Sequence, residues 1–383
     1  MQGSVQKGDI HPSRHDMLTL FLCGDVMPGR GIDQVLPYPS DPVLYESYVR
    51  DARDYVKLAE AANGPIQKPV DYAYIWGDGL AVLSDIKPDL RIINLETSVT
   101  TSNDFWPSKG INYRMHPKNI PCLSVAQIKC CILANNHVLD WGHSGLVETL
   151  DVLAEAGIKG VGAGKDQREA KAARSFSVIG KGRILVFAYG SGTSGIPDSW
   201  AATEESPGVN LLADLSDQTV LQIKKEVAAL KQPGDVVLFS LHWGGNWGYS
   251  ISPDERRFAH KLIDEAGVDF FYGHSSHHFK GIEVYQEKLI LYGCGDFIND
   301  YEGIKGYERY RDDLTLMYFP VFDPTSGHLV QMVMIPMQMK RFQAVSPPLH
   351  DRQWIMDVLN REGQQLGTHV ILENDGSLTL QWR

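Results

Sequence analysis

Five short places in this 383-residue chain set carboxylate, amide or imidazole side chains close to the end of an apolar run: Asp25, Asn94 with Glu96, Asn136 with His137, His242, and His274 with His277. Oxygen and imidazole donors without a thiolate suit hard or borderline divalent ions, so the set reads as a candidate site for one or two Mn, Fe or Zn ions. Taken singly, each residue has a plain structural reading. Asp25 is also a natural helix cap, Asn136-His137 a turn, and a lone histidine is more often structural than a ligand. Their joint placement at strand exits carries the argument, because ligands of α/β proteins bind in the crevice at those ends.

The elements that must position them are legible as apolar runs. Leu20-Phe-Leu-Cys23, Arg91-Ile-Ile-Asn94, Cys130 to Ala134, Ile158 to Val161, Asp235 to Leu241 and Asp269-Phe-Phe-Tyr272 read as strands. Gly145 to Ala156, Asp214 to Leu230 and Pro253 to Ala266 carry apolar residues at helical spacing, the last with proline in its first turn and Gly267 at its end. Tyr45 to Ala62 is expected to be helical within an irregular insertion from Asp33 to Asp85. Past Pro347 the spacing predicts a helix over 350–365 and a β-hairpin over 368–382, turning at Asn374-Asp-Gly376. Alternating strands and helices predict an α/β fold, divided into a polar tail (1–16), a main domain (17–346) and a C-terminal helix and hairpin appendage (347–383).

Composition narrows the function classes. A net charge of -11 without any Lys/Arg block argues against nucleic acid as partner. No apolar run is long enough for a membrane span, and the first residues lack the apolar core of a signal peptide, which reads as a cytoplasmic chain unless an anchor precedes residue 1. The five cysteines, odd in number and mostly in apolar segments, read as buried free thiols, with Cys130 and Cys131 facing opposite sides of one strand. Gly160-Val-Gly-Ala-Gly-Lys165 lacks the Ser/Thr of a phosphate loop, and Gly190 to Gly195 is not a serine nucleophile elbow. His116, His143, His260 and His369 read as ordinary core or surface histidines.

Gly24-Asp-Val-Met-Pro-Gly-Arg30, Asn94-Leu-Glu96, Leu133-Ala-Asn-Asn-His-Val-Leu-Asp-Trp-Gly142, Gly160-Val-Gly-Ala-Gly164, His242-Trp-Gly244 and Gly281-Ile-Glu283 follow one another in the order typical of CapA, the bacterial poly-gamma-glutamate capsule synthesis family. The chain resembles that family from about Leu18 to Asn299. CapA in turn resembles the calcineurin-like metallophosphatases, which implies a four-layer α/β/β/α sandwich with a two-metal site at the strand ends. The resemblance implies Asp25 on one metal, Glu96 as the bridging carboxylate, Asn136 and His242 on the second ion, and His274 and His277 as the remaining imidazoles. It also implies His137 as general acid, and Arg30, Lys109 and Arg114 as basic residues for an anionic substrate.

Three positions depart from the pattern. Met27 stands where a metallophosphatase has a second ligand in D-x-H, Ser275-Ser-His277 replaces H-P-H so that His274 must substitute from one residue earlier, and Asp296 replaces an asparagine. The function implied is a metal-dependent hydrolase in poly-gamma-glutamate synthesis or processing, acting on a phosphoester or γ-glutamyl substrate through water activated between two ions about 3.5–4 Å apart. The alternative is a non-catalytic subunit that holds polyglutamate for other capsule-synthesis proteins through a degenerate metal site.

Overall fold

A computed structural model of the protein describes residues 17–383; the polar tail expected over 1–16 lies outside them. Along Leu18–Cys23 the side chains alternate strictly. Leu18, Leu20 and Leu22 join one apolar cluster, while Phe21 and Cys23 join another on the opposite face. The same period of two places Cys130 in the first cluster and Cys131 in the second, as expected for adjacent strand residues.

The strands assemble into two large sheets. In the first, Lys159–Val161, Cys130–Ile132, Leu90–Leu95 and Leu18–Cys23 run parallel, and Leu314–Phe322 and Leu329–Lys340 follow antiparallel. In the second, Gly182–Ser191, Asp235–His242, Phe270–His274 and Lys288–Leu291 are parallel neighbours. One apolar layer lies between the sheets, where Leu20, Ile92 and Ile132 meet Val186, Leu238 and Phe270. Helices cover both outer faces: Gly79–Ile86 and Gly142–Glu155 contribute to the core on the first sheet, and Asp217–Leu230 and Pro253–Ala266 to that on the second. The result is the four-layer α/β/β/α sandwich.

Local chemistry sets the helix ends. Pro253–Ala266 opens on a full capping box, in which Ser252 accepts from the Glu255 amide and the Glu255 side chain accepts from the Ser252 amide; Gly267 closes it in the left-handed conformation. Ser252→Ala is expected to cost about 1 kcal/mol in a denaturant titration, and an unchanged midpoint would deny the box a role. The helix expected from Asp214 starts at Asp217, because Asp214 is taken up by Ser216 and Thr219 in the turn that precedes the Ser216 cap. The helix expected from Tyr45 begins at Arg53 instead. Leu44 and Ala52 donate their amides to Arg50 and Pro42, closing a bridge that helical geometry would break.

Beyond Pro347 the structure has a helix at Leu349–Gly363 and a hairpin of Thr368–Leu372 and Leu378–Trp382. The hairpin extends the first sheet through Val333↔Thr379, and Ile355, Leu359, Val370 and Leu378 enter the layer between the sheets. Among the described residues no helix is long and apolar enough to cross a membrane.

Candidate functional site

Strand register brings the polar residues together. On the first sheet, Asp296, Asp25 and Asn94 lie side by side, since Asp296 pairs with Asp25 and Asp25 with Asn94. On the second, His242 pairs with His274. Asn94, His242 and His274 continue the inward-facing series of their strands, so the apolar layer between the sheets gives way at its end to amides, carboxylates and imidazoles. Gly24 permits the close approach: a Cβ there would lie 2.0 Å from the Gly295 carbonyl oxygen, which accepts from the Asp25 amide at 2.8 Å.

Within the cluster, Asp25 Oδ1 accepts from Asn94 Nδ2 at 2.8 Å and lies 3.1 Å from His274 Nδ1. The other amide proton of Asn94 goes to Glu96 Oε2 at 3.0 Å. Glu96 Oε1 is 3.9 Å from Nε2 of both His137 and His242, and His242 Nε2 lies 3.2 Å from Asn136 Oδ1. His277 Nδ1 meets Asp296 Oδ1 at 2.8 Å. Ser275, between the two histidines of this segment, holds φ at 93°, a strained value for a residue with a Cβ; its amide donates to Asp25 Oδ2. That bend lets His274 face Asp25 while His277 faces Asp296. His278 turns to another environment, where Nε2 accepts from the Gly248 amide and the ring stacks on Tyr310.

The electrostatics favour a cation. Burial, with the charges of Asp25 and Asp296, pushes Glu96 well above the usual carboxylate range, and burial also raises Asp296. Burial opposes the charge of Asp25 too, yet the hydrogen bond and charge of His274 hold it below its ordinary value. His242 is pushed down to about 3 by burial and is neutral. Three buried carboxylates thus share one pocket. Asp25, Glu96 and His242 offer ligand atoms all within 4.8 Å of one another, and His242 Nδ1 and His274 Nε2 are buried without a partner. Excess buried negative charge and orphaned imidazole nitrogens fit a divalent ion among oxygen and nitrogen donors.

The three basic residues expected to meet substrate behave differently. Arg30 is buried and bonded to Asp300, Glu46 and Tyr55, with its guanidinium 3.7 Å from the Tyr55 ring centroid. Its charge is spent inside the fold. The Arg114 guanidinium binds the Ser102 and Asp41 carbonyls and Asn103 while lying over Trp141. Lys109 does reach the site, 2.6 Å from Asp140 Oδ1 and 2.9 Å from His137 Nδ1.

Asp140 is a site residue that sequence reasoning missed. Its Oδ2 lies 2.7 Å from His137 Nδ1 and accepts from the Tyr113 amide at 2.6 Å. The signal was present as a carboxylate three residues after the histidine, in the stretch that already held Asn136 and His137. Asn135 was also passed over; it donates to Asn94 Oδ1 and accepts from the His137 amide, tying the two strand ends together.

Comparison with known proteins identifies what the chain is similar to. The family described as "Bacterial capsule synthesis protein PGA_cap" matches residues 19–301. The chain is 45% identical over 364 residues, 95% of its length and 96% of the relative's, to a Mycobacterium tuberculosis protein named "Probable polyglutamine synthesis accessory protein". It is 26% identical to the "Capsule biosynthesis protein CapA" of Bacillus anthracis, over 81% of this chain and 66% of that one. A solved structure described as a novel phosphatase from Mycoplasma pneumoniae aligns with TM-score 0.45 and 10% identity, over 86% of this chain and 95% of that one. With the family match spanning most of its length and every strand end of the cluster, the chain belongs to the bacterial capsule synthesis protein PGA_cap family.

Proposed function

We propose that the protein serves polyglutamate capsule synthesis as a metal-dependent hydrolase of an anionic phosphoester or γ-glutamyl substrate. The observation that carries this reading is the pairing of an ion-demanding carboxylate cluster with a histidine set up for proton transfer: His137 Nε2 faces Glu96 while Nδ1 is held by Asp140. Asp25, Glu96, Asn136, His242, His274 and His277 would hold one or two divalent ions. When bound, such ions supply Lewis-acid polarisation of a phosphoryl or carbonyl oxygen and lower the pKa of coordinated water.

The chain's own contribution centres on His137. Burial pushes it down to about 4, so it is neutral near pH 7. In the tautomer this mechanism requires, Nδ1–H donates to Asp140 while the Lys109 ammonium beside it donates to the other oxygen of Asp140, which leaves the lone pair of Nε2 on the Glu96 side. Nε2 takes the proton that the attacking water gives up, Asp140 stabilises the imidazolium, and the same nitrogen hands that proton to the leaving group as its bond to the substrate breaks. Lys109 offsets the charge of Asp140 and keeps the loop carrying it against the histidine.

A polyglutamate-binding subunit without catalysis would need a cationic surface beside the site. Arg30 and Arg114 are committed to internal contacts and Lys109 to Asp140, which disfavours that reading. The deciding assay compares metal-stripped protein with protein reloaded with Mn, Fe or Zn on phosphomonoester and γ-glutamyl substrates. Turnover that appears only on reloading is the expected result. No turnover with any of the three metals, together with salt-sensitive binding of polyglutamate, would sink the hydrolase reading.

A further inference from the structure

His274 and His277 are separated by a bend that the backbone resists. Ser275 holds φ at 93°, and such a conformation in a residue with a Cβ persists only where the surroundings over-determine it. Ser276 adds no restraint of its own, whereas a proline in its place would fix φ there. The restraint comes from the loop that follows His242.

That loop is bonded to the histidine segment residue by residue. The Gly244 carbonyl accepts from Ser275 Oγ at 3.1 Å, the Asn246 carbonyl from the His277 amide at 2.9 Å, and the Ser250 carbonyl from Lys280 Nζ at 3.3 Å. The Gly248 amide donates to His278 Nε2 at 3.0 Å. Gly244 and Gly248 take φ values of 73° and 119°, which lets the chain turn on either side of Trp247. Trp247 thereby falls between the two residues that hold His277 and His278. Its half-buried indole lies with its centroid 5.4 Å from that of the His277 ring, and is braced by Tyr307, stacked at 4.0 Å, and by Tyr310 at 5.1 Å.

His277 needs this support. Asp296 Oδ1 holds its Nδ1 at 2.8 Å, which leaves Nε2 as the ligand atom. One hydrogen bond tethers a corner of the ring without fixing its plane. Neighbouring rings do that: Tyr301 stands edge-on to the imidazole at 5.4 Å, and Trp247 meets it at an angle of 50°.

Resting on the metal-dependent reading, we infer that Trp247 is a positioning residue for metal binding: its indole sets the plane of the His277 ring, and the loop that carries it holds the strained bend in the shape that keeps Nε2 presented to the ion. A residue that only fills space would support the site whatever stood at position 277. A positioning residue has an effect only while the imidazole is there to be positioned.

The test is calorimetric titration of Mn into metal-stripped wild type, Trp247→Leu, Trp247→Phe, His277→Ala and the double variant Trp247→Leu/His277→Ala. Trp247→Leu keeps apolar bulk but no ring, and is expected to weaken Mn by roughly 10–100-fold, the range for a group behind a ligand. Trp247→Phe restores a ring face and should bind much as the wild type does. In the His277→Ala background, Trp247→Leu should change affinity by less than about twofold, since the group it acts through is gone. Equal weakening by Trp247→Leu in both backgrounds overturns the inference, as does wild-type affinity in Trp247→Leu or a Trp247→Phe as weak as Trp247→Leu. If His277→Ala binds too weakly to titrate, the contrast between Trp247→Phe and Trp247→Leu decides alone. A wild type that takes up no Mn defeats the metal reading and this inference with it, whereas a wild type that binds Mn and shows additive losses defeats the inference alone.

Discussion

Asp25→Asn and His242→Ala are each expected to empty the site of metal under conditions where the wild type retains it. Asp25 is the hub of the first-sheet row, touching Asn94, His274 and the Ser275 amide, and it is the carboxylate held in its charged form. Replacing it with an amide removes a full charge from the donor set while keeping the shape. His242 joins the same set from the opposite sheet, with one ring nitrogen near Glu96 and Asn136 and the other unpartnered. Loss of a residue merely behind a ligand costs roughly 10–100-fold in metal affinity, so loss of a ligand should exceed that range. Elemental analysis after dialysis reads the result. Stoichiometric metal in both variants would show that the cluster is not a metal centre.

His137→Ala is expected to lower kcat by roughly 10²–10⁴-fold, the scale of general acid and base catalysis, with metal content nearly intact. The separation arises because the Nδ1 of His137 is already engaged by Asp140, while its Nε2 faces Glu96 from 3.9 Å. Asp140→Asn should fall in the same direction by a smaller factor, since an amide can still hold the ring but stabilises the imidazolium less well. Hydrolysis that survives His137→Ala at the wild-type rate would reject this proton path.

The strand exits were readable because two independent signals coincide there: an apolar run ends, and a residue with ligand chemistry follows. Register then does what periodicity implies, setting Asp25 beside Asn94 and His242 beside His274. Arg30 and Arg114 show what sequence does not display, since basic residues near a site look alike whether they face ligand or core. Only the packing of Asp300, Glu46 and Tyr55 around one guanidinium, and of three loop acceptors around the other, decides it. Asp140 stands three residues after His137 and was overlooked rather than hidden, whereas Asp296 meets His277 from 19 residues away, and such a contact leaves no periodic trace. The Tyr45 helix failed for a related reason: a bridge between Val43 and Asp51 claims backbone groups that local propensity assigns to a helix.

Because Asp25 and Glu96 belong to one sheet and His242 and His274 to the other, an ion held among them would also be a rivet across the sandwich. Affinity for that ion and resistance of the layers to parting become a single thermodynamic quantity. An ion at a hundred times its dissociation constant adds about 2.7 kcal/mol to the folded state. The amides of the Asp235–His242 and Leu90–Leu95 strands should then exchange with deuterium more slowly when the ion is present, and metal scarcity would be felt as loosened architecture before it was felt as lost chemistry.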